Sequence, residues 1–380
     1  MSMKAPESIT SEVLDLGKSE CPIWDEFVTG GRSIHLEQTT TWGMARRHDG
    51  WKPVLVIVRR DRTVIGGAMV LTRRFGRFLR VGYVSRGPLV HDPDSATPKA
   101  SVACVVRELQ RCARRLSLGC LIVDPPYFSE NLPGTMGGMG FSPHLKQLPP
   151  QGLTKGALII DLREDEEKLL LNMRRSTRSV IKRAGQSSLV VRRGNRSDIP
   201  ALWQLMRQLC ERRGAKPNVS KLELIELLWD RLEPAGQVRI DVVESGSETI
   251  AALMTIRLGS WGIPWRIGWS GAEPRLSPEK YLYWAVIRDL KLTGIQTYDF
   301  NWIDPDEVEL IRSGGEIPES TNKGITNYKM GFGGEPIRLD PPMDYFPSAA
   351  VRLAMRWGLG SLLNSKAMSR TLRRMSRQAG

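Results

Sequence analysis

The 380-residue chain has no apolar run of the ~18 residues that a helix needs to cross a bilayer core, so no membrane span is expected. Its opening, MSMKAPESITSEVLDLGKSE, is polar and mildly acidic and lacks the apolar stretch of a secretory leader. Histidine is scarce. His35, His48, His91 and His144 are scattered with no HxxxH or HExxH spacing, which argues against a zinc site; no metal is expected. The five cysteines are odd in number and form no CxxC pair, so neither a disulfide framework nor a thiol redox motif is indicated. Cys104, Cys112 and Cys120 recur every eight residues and read as small buried hydrophobes in a reducing, cytoplasmic setting. There is no GxSxG and no cysteine beside a base motif, so a covalent nucleophile is not evident.

Positive charge is what the chain has in excess. The net charge is +14, and half of it lies in residues 348–380, which contain seven Arg or Lys and no Asp or Glu. Such a balance favours polyanionic partners: RNA, nucleotide-linked substrates or an anionic membrane surface. The tail mixes Leu, Met and Trp357 with bases, as either a peripheral membrane anchor or a disordered basic tail would. A length of 380 residues exceeds one ordinary core and suggests two domains.

Two segments repeat one another. KPVLVIVRRDRTVIGGAMVLT and GQVRIDVVESGSETIAALMTI each read as a hairpin. RVGYVSRGPLV and RIGWSGAEPRL follow as short strands. Helices then come in ASVACVVRELQRCARRLSLG and SPEKYLYWAVIRDLKLTG, with Gly119 and Gly294 as C-terminal caps. Each helix runs into a strand ending near an acid, Asp124 in CLIVDPP and Asp299 in IQTYDFN. A duplicated order of strand, strand, strand, helix, strand predicts an α/β fold of two tandem GNAT-like acyltransferase domains with mixed central sheets. Only a short turn separates Leu232 from Val238, so no coiled-coil arm is expected. The boundaries are a lead-in at 1–24, domains at 25–155 and 156–347, and a basic tail at 348–380.

The second domain opens with REDEEKLLLNMRRSTRSVIKRAG, read as one helix with acids at its start and bases at its end. Leu170, Met173, Thr177, Val180, Ile181 and Ala184 form one face. Arg174, Arg178 and Lys182 fall at i, i+4 and i+8 on another, with Arg175 beside them: a candidate phosphate-binding stripe, for tRNA or for a substrate.

The ordered set EEKLLLNMRRSTRSVIKRAGQSSLVV, DLKLTGIQTYDFNWI and NYKMGFGGEPIRL resembles the Fem-type aminoacyltransferases. HLEQTTTWGMARRHDGW, GYVSRGPLV and LIVDPP extend the resemblance over residues 25–347. It implies transfer of an amino acid from aminoacyl-tRNA to an amine on a UDP-linked or lipid-linked peptidoglycan or other cell-envelope precursor. Lys329 matches the family lysine of FK.GFGG, with Tyr328 where Phe is usual; it would hold an oxyanion or the tRNA terminus, or else be a surface lysine at a strand edge. Gly331, Gly333 and Gly334 admit a ligand or build a bulge. Asp124 matches a family acid that steers or deprotonates the amine, and equally reads as a turn Asp before Pro125. Arg46, four residues after Trp42, matches a base that contacts sugar-nucleotide phosphates. Arg213, among Arg212, Lys216 and Lys221, stands where a second such contact comes from; the tyrosine that accompanies it in the family is missing, which puts that acceptor in doubt.

The rival is a GNAT N-acyltransferase using acyl-CoA in exopolysaccharide or envelope biosynthesis, and a third reading is a non-catalytic RNA- or membrane-binding module. Coenzyme A is disfavoured. SRGPLVHDPDSATPKA and SGAEPRLSPEKY lack the [RQ]xxGx[GA] spacing and place prolines where amide donors are needed. No resident cofactor is expected. The chain is read as a cytoplasmic monomer, peripheral at the inner face of the membrane.

Overall fold

The computed structural model describes residues 9–17, 19–31, 33–75, 79–92, 98–129, 132–145, 156–214, 221–315 and 324–359. The chain forms two compact units, residues 1–153 with 339–380, and residues 154–338.

In the first unit the sheet order is Ile9–Asp15, Lys52–Arg60, Thr63–Phe75, Leu79–Ser85, Cys120–Asp124, Met343–Tyr345 and Ser142–Pro143. Two boundaries therefore move. The lead-in is not separate, because Ile9–Asp15 pairs antiparallel with Val54–Arg60 as an edge strand. The second domain does not reach residue 347, because Met343–Tyr345 pairs with Leu121–Val123 and completes the first sheet. Successive residues of strand Lys52–Arg60 face opposite ways: Val54 and Val56 pack under helix Pro98–Arg115 with Val102, Val106 and Leu109, while Leu55 and Ile57 pack with Trp24 and Val28. Both faces are thus covered, which explains the near-continuous apolar run VLVIV.

The second sheet runs Glu335–Arg338, Gly156–Asp161, Thr297–Asp299, Trp261–Trp269, Glu248–Leu258, Val238–Ser245 and Val190–Arg193. Ala251 and Leu253 meet Leu282, Val286, Ile287 and Leu290 of helix Pro278–Leu292. Leu282, Ile287 and Leu290 are fully buried, each contributing roughly 2 kcal/mol relative to exposure. Helix Ile199–Arg212 lies close on strand Trp261–Trp269 at Gly268, where a Cβ would sit 2.5 Å from the Met206 amide nitrogen. Both hairpins carry a bulge, at Val58/Arg59 and at Val243/Glu244, and each unit has a parallel strand pair after its hairpin. The duplicated order read from the sequence is present in both units.

Three local expectations change. The single helix at the start of the second domain is broken at Met173–Arg174 into Glu166–Asn172 and Arg175–Gly185, so Arg174 is an N-cap and not part of an i, i+4, i+8 stripe. Gly119 is not a cap: Ser117 takes the left-handed turn at φ +51°, and Gly119 is there because a Cβ would run into Leu79. Gly294 does fill the left-handed position after its helix, at φ +84°. Cys112 is buried in helix Pro98–Arg115 and Cys120 opens a strand, with burial holding both thiols above their ordinary pKa. Of the basic tail, Ala349–Ala354 is helical and Met355 packs against Leu79 and Val81; residues 360–380 lie outside the described residues. No helix among the described residues is long and apolar enough to cross a membrane.

Candidate functional site

In the second unit the parallel pairing covers Trp261–Gly262 against Thr297–Tyr298. Beyond it the strands part, one continuing to Trp269 and the other turning at Asn301, whose backbone is left-handed at φ +51°. A cavity of about 350 Å³ opens in this gap. Openings at the carboxyl ends of adjacent parallel strands are where α/β folds place ligands. Trp265, Ile267 and Trp269 form one wall and Phe300–Trp302 another. Cys210 and Arg213 come from the end of helix Ile199–Arg212, Glu279 and Tyr283 from the head of helix Pro278–Leu292, and Tyr328 and Lys329 from the short helix Ile325–Met330.

Lys329 is on that helix and not at a strand edge. Its Nζ donates to the carbonyls of Phe300 at 2.8 Å, Asn301 at 3.1 Å and Trp302 at 2.9 Å. Burial lowers its pKa to about 8, with Asp299 opposing, so it is still a cation at neutral pH. All three protons are spent on holding the turn. Asp299 serves the same turn, accepting from the Asn301 amide at 2.6 Å. Gly333, at φ +76°, passes where a Cβ would lie 2.8 Å from the Asn172 carbonyl oxygen, which explains the glycines after Lys329 as close packing.

Glu279 was not legible as a site residue. After Pro278 it reads as an ordinary acid in a first helical turn. In the fold its Oε2 is buried with no hydrogen-bond partner. Burial raises its pKa, opposed by its own backbone amide, by Lys280 and by Arg213. The Tyr328 hydroxyl is likewise buried without a partner, and burial holds the phenols of Tyr328 and Tyr283 far above their usual pKa, Glu279 adding to both. The helix head offers little to an anion. Pro278 has no amide hydrogen, Glu279's amide meets its own carboxylate, and the amides of Lys280 and Tyr281 turn back to the Ser277 carbonyl at 2.9 and 3.3 Å.

The other predicted residues divide between the units. Asp124 ends its strand in the first unit, 3% exposed, with Arg86 Nη1 at 3.9 Å from Oδ2 and with Oδ1 unbonded. Burial raises its pKa to about 6, Arg86 working against the shift. Trp42 and Arg46 of that unit do come together: the guanidinium lies 5.5 Å from the indole centroid and 2.6 Å from Asp49, and burial lowers its pKa. Arg213, Tyr328 and Lys329 share the second unit's cavity. The stripe of Arg174, Arg178 and Lys182 dissolves. Arg174 bonds Asn327, and Arg178 Nη1 donates to the carbonyls of Leu170, Leu171 and Met173, closing the helix before it. Arg175 and Lys182 are exposed. The described residues contain no cluster of three or more His, Cys, Asp or Glu able to hold a metal.

Residues 170–308 match the acetyltransferase (GNAT) domain model. Among solved structures, FemX superposes with a TM-score of 0.76 at 16% identity, covering 91% of this chain and 99% of its own. The chain has a Fem-type tandem GNAT fold. L-PGS from Bacillus licheniformis matches at TM-score 0.51 and 13% identity, over 79% of this chain and 87% of its own. A conserved protein of unknown function from Bacteroides thetaiotaomicron matches at 0.53 and 11%, over 85% and 94%. No curated protein matches the sequence. With the GNAT domain spanning the cavity residues of its second unit up to Trp302, the chain is an acyltransferase.

Proposed function

We propose that this acyltransferase moves an aminoacyl group from aminoacyl-tRNA to an amine on a peptidoglycan or other cell-envelope precursor. The observation that carries the reading is the Glu279 carboxylate at the head of helix Pro278–Leu292, whose Oε2 is buried without a hydrogen-bond partner. A buried acid with its amides already engaged repels the pyrophosphate of coenzyme A, yet suits a reaction that must take a proton from an ammonium. Glu279 first passes one proton of the ammonium to solvent; the neutral amine nitrogen attacks the ester carbonyl, the C–O bond to the terminal ribose breaks, and Glu279 carries the second nitrogen proton to the leaving ribose alkoxide. Arg213 on the cavity rim stabilises the oxyanion. Lys329 and Asp299 keep the Asn301 turn in place behind the ester.

The RNA phosphates meet Arg175 and Lys182 on the exposed helix face and the cleft of about 280 Å³ shared by Arg174, Lys280 and Tyr328. In the first unit Arg46 and Trp42, with Arg73 close by, lie near a basic groove of Lys52, Arg73, Arg74 and Arg80 that receives the precursor's phosphates. Asp124 orients the incoming amine. The described end of the tail carries exposed Leu353 and Trp357, which suits peripheral contact with an anionic membrane by a cytoplasmic monomer. The resemblance to FemX and to L-PGS supports an envelope setting.

The test offers labelled aminoacyl-tRNA pools and labelled acetyl-CoA, in parallel, to UDP-linked and lipid-linked precursors. Label is expected to pass from charged tRNA. Transfer from acetyl-CoA alone would replace this reading with the acyl-CoA one.

A further inference from the structure

The first unit has its own opening at the end of a parallel strand pair. Leu79–Ser85 and Cys120–Asp124 run parallel and end together at Ser85 and Asp124. The segments leaving those ends, Pro88–Asp92 and Pro126–Ser129, wall a cavity of about 290 Å³. Within its unit it holds the place that the Glu279 cavity holds in the other: beyond the paired strands and against the first turn of the helix that follows the hairpin.

Among the described residues its polar side chains are those of Ser33, His91, Asp92, Ser101, Tyr127 and Ser129. Ser33 Oγ donates to the Tyr127 carbonyl at 3.3 Å, and Ser129 Oγ donates to Asp340. Asp92 Oδ2 accepts from Ser101 Oγ at 2.5 Å and from Arg60 Nη2 at 2.7 Å. Asp92 Oδ1 is left over: it is buried without a hydrogen-bond partner, on a side chain 3% exposed. Phe27, Leu89, Val102, Tyr127 and Leu132 make an apolar wall beside the His91 ring. An acid beside the helix head turns away a pyrophosphate, as Glu279 does in the second unit.

We propose that this cavity is a second ligand site, for a small primary ammonium with an apolar body that donates to Asp92 Oδ1. The free atom is an acceptor, so the ligand brings the proton. An ammonium makes the stronger, charge-assisted bond, and an anion is repelled. The volume is at the low end of the ~300–1,000 Å³ range of ligand pockets, which limits the body to about one ring or branched side chain. Nothing here depends on the chemistry proposed for the second unit.

The probe is 2-phenylethylamine, titrated calorimetrically into the full chain carrying Glu279→Gln and Asp124→Asn, which silences the two other buried carboxylates with an unbonded oxygen among the described residues. Saturable binding is expected, at least about tenfold weaker in Asp92→Asn. Because that change also weakens the Arg60–Asp92 ion pair, Val102→Phe is the second variant: it fills the cavity, leaves Arg60–Asp92 in place and should also remove binding. Phenylacetate and 2-phenylethanol should bind far more weakly than the amine. Amine affinity unchanged in Asp92→Asn, or in Val102→Phe, would overturn the site, as would equal binding of the alcohol or the acid.

Discussion

Lys329 Nζ donates to the carbonyl of Asn301 at 3.1 Å, and Asn301 holds a left-handed backbone at φ +51°. The same nitrogen takes the carbonyls on either side, Phe300 and Trp302. The lysine therefore builds the cavity wall before it meets any substrate. A residue at positive φ costs energy that surrounding bonds must offset.

Lys329→Met should accordingly lower stability by about 2–4 kcal/mol, because three carbonyls lose one donor group, and turnover should fall with it. Lys329→Arg should not restore either, since a planar fork does not reproduce three converging bonds. Urea unfolding and turnover measured together decide the matter. Parental stability with lost turnover would move Lys329 from the turn into the chemistry.

Asp124 gives the first unit a pH signature. Its folded pKa of about 6 lies above the ordinary 3.8, so between those values the folded chain binds the proton more tightly than the unfolded one. That contribution, about 3 kcal/mol, is full below pH ~4 and lost as the pH rises through ~6. Asp124→Asn leaves Arg86 without its acid at every pH, a constant offset, and removes the slope. Urea midpoints at about pH 4 and about pH 7 should show the parent losing ground relative to the variant. Parallel pH dependences would mean that Asp124 is not buried as described.

The duplicated fold was legible because periodicity is a local signal: VLVIV and IAALMTI alternate or run apolar as strands must, and Leu282, Val286 and Leu290 keep helical spacing. Boundaries were less so. Met343–Tyr345 is three residues whose pairing with Leu121–Val123 lies more than 200 positions away, and no local pattern reports such a partner. The site followed the same rule. Lys329 and Tyr328 stand in a recognisable string, whereas Glu279 becomes unusual only when Tyr283, Tyr328 and Arg213 fold around it. Arg178 misled because a basic residue spaced for a stripe is, in three dimensions, spaced to reach the carbonyls of the preceding helix.

That reassignment separates two kinds of charge change. Arg178→Met should destabilise the second unit by about 1–3 kcal/mol, by freeing the helix-end carbonyls, and, on the proposal that tRNA is the donor, leave the salt dependence of its binding as it was. Arg175→Glu with Lys182→Glu, both exposed, should leave stability nearly unchanged and flatten the salt dependence by about one to two counterions. Filter binding across a salt series checks both. An unaltered slope in the double variant would take RNA off this face.

Glu279→Gln keeps the shape of the side chain and removes its capacity to accept a proton. If Glu279 takes the proton of the attacking amine, turnover should fall by about 10²–10⁴-fold while the KM for charged tRNA changes little. The pH profile is the sharper readout. Burial raises the Glu279 pKa, so in the parent the acid limb of kcat/KM should lie above the ordinary carboxylate range, with activity lost as the pH falls and the base becomes protonated. The variant should lose that limb, and Glu279→Asp should regain part of the rate and the limb together. An acid limb that persists unchanged in Glu279→Gln would assign the base to another residue, leaving Glu279 only to turn coenzyme A away from the helix head.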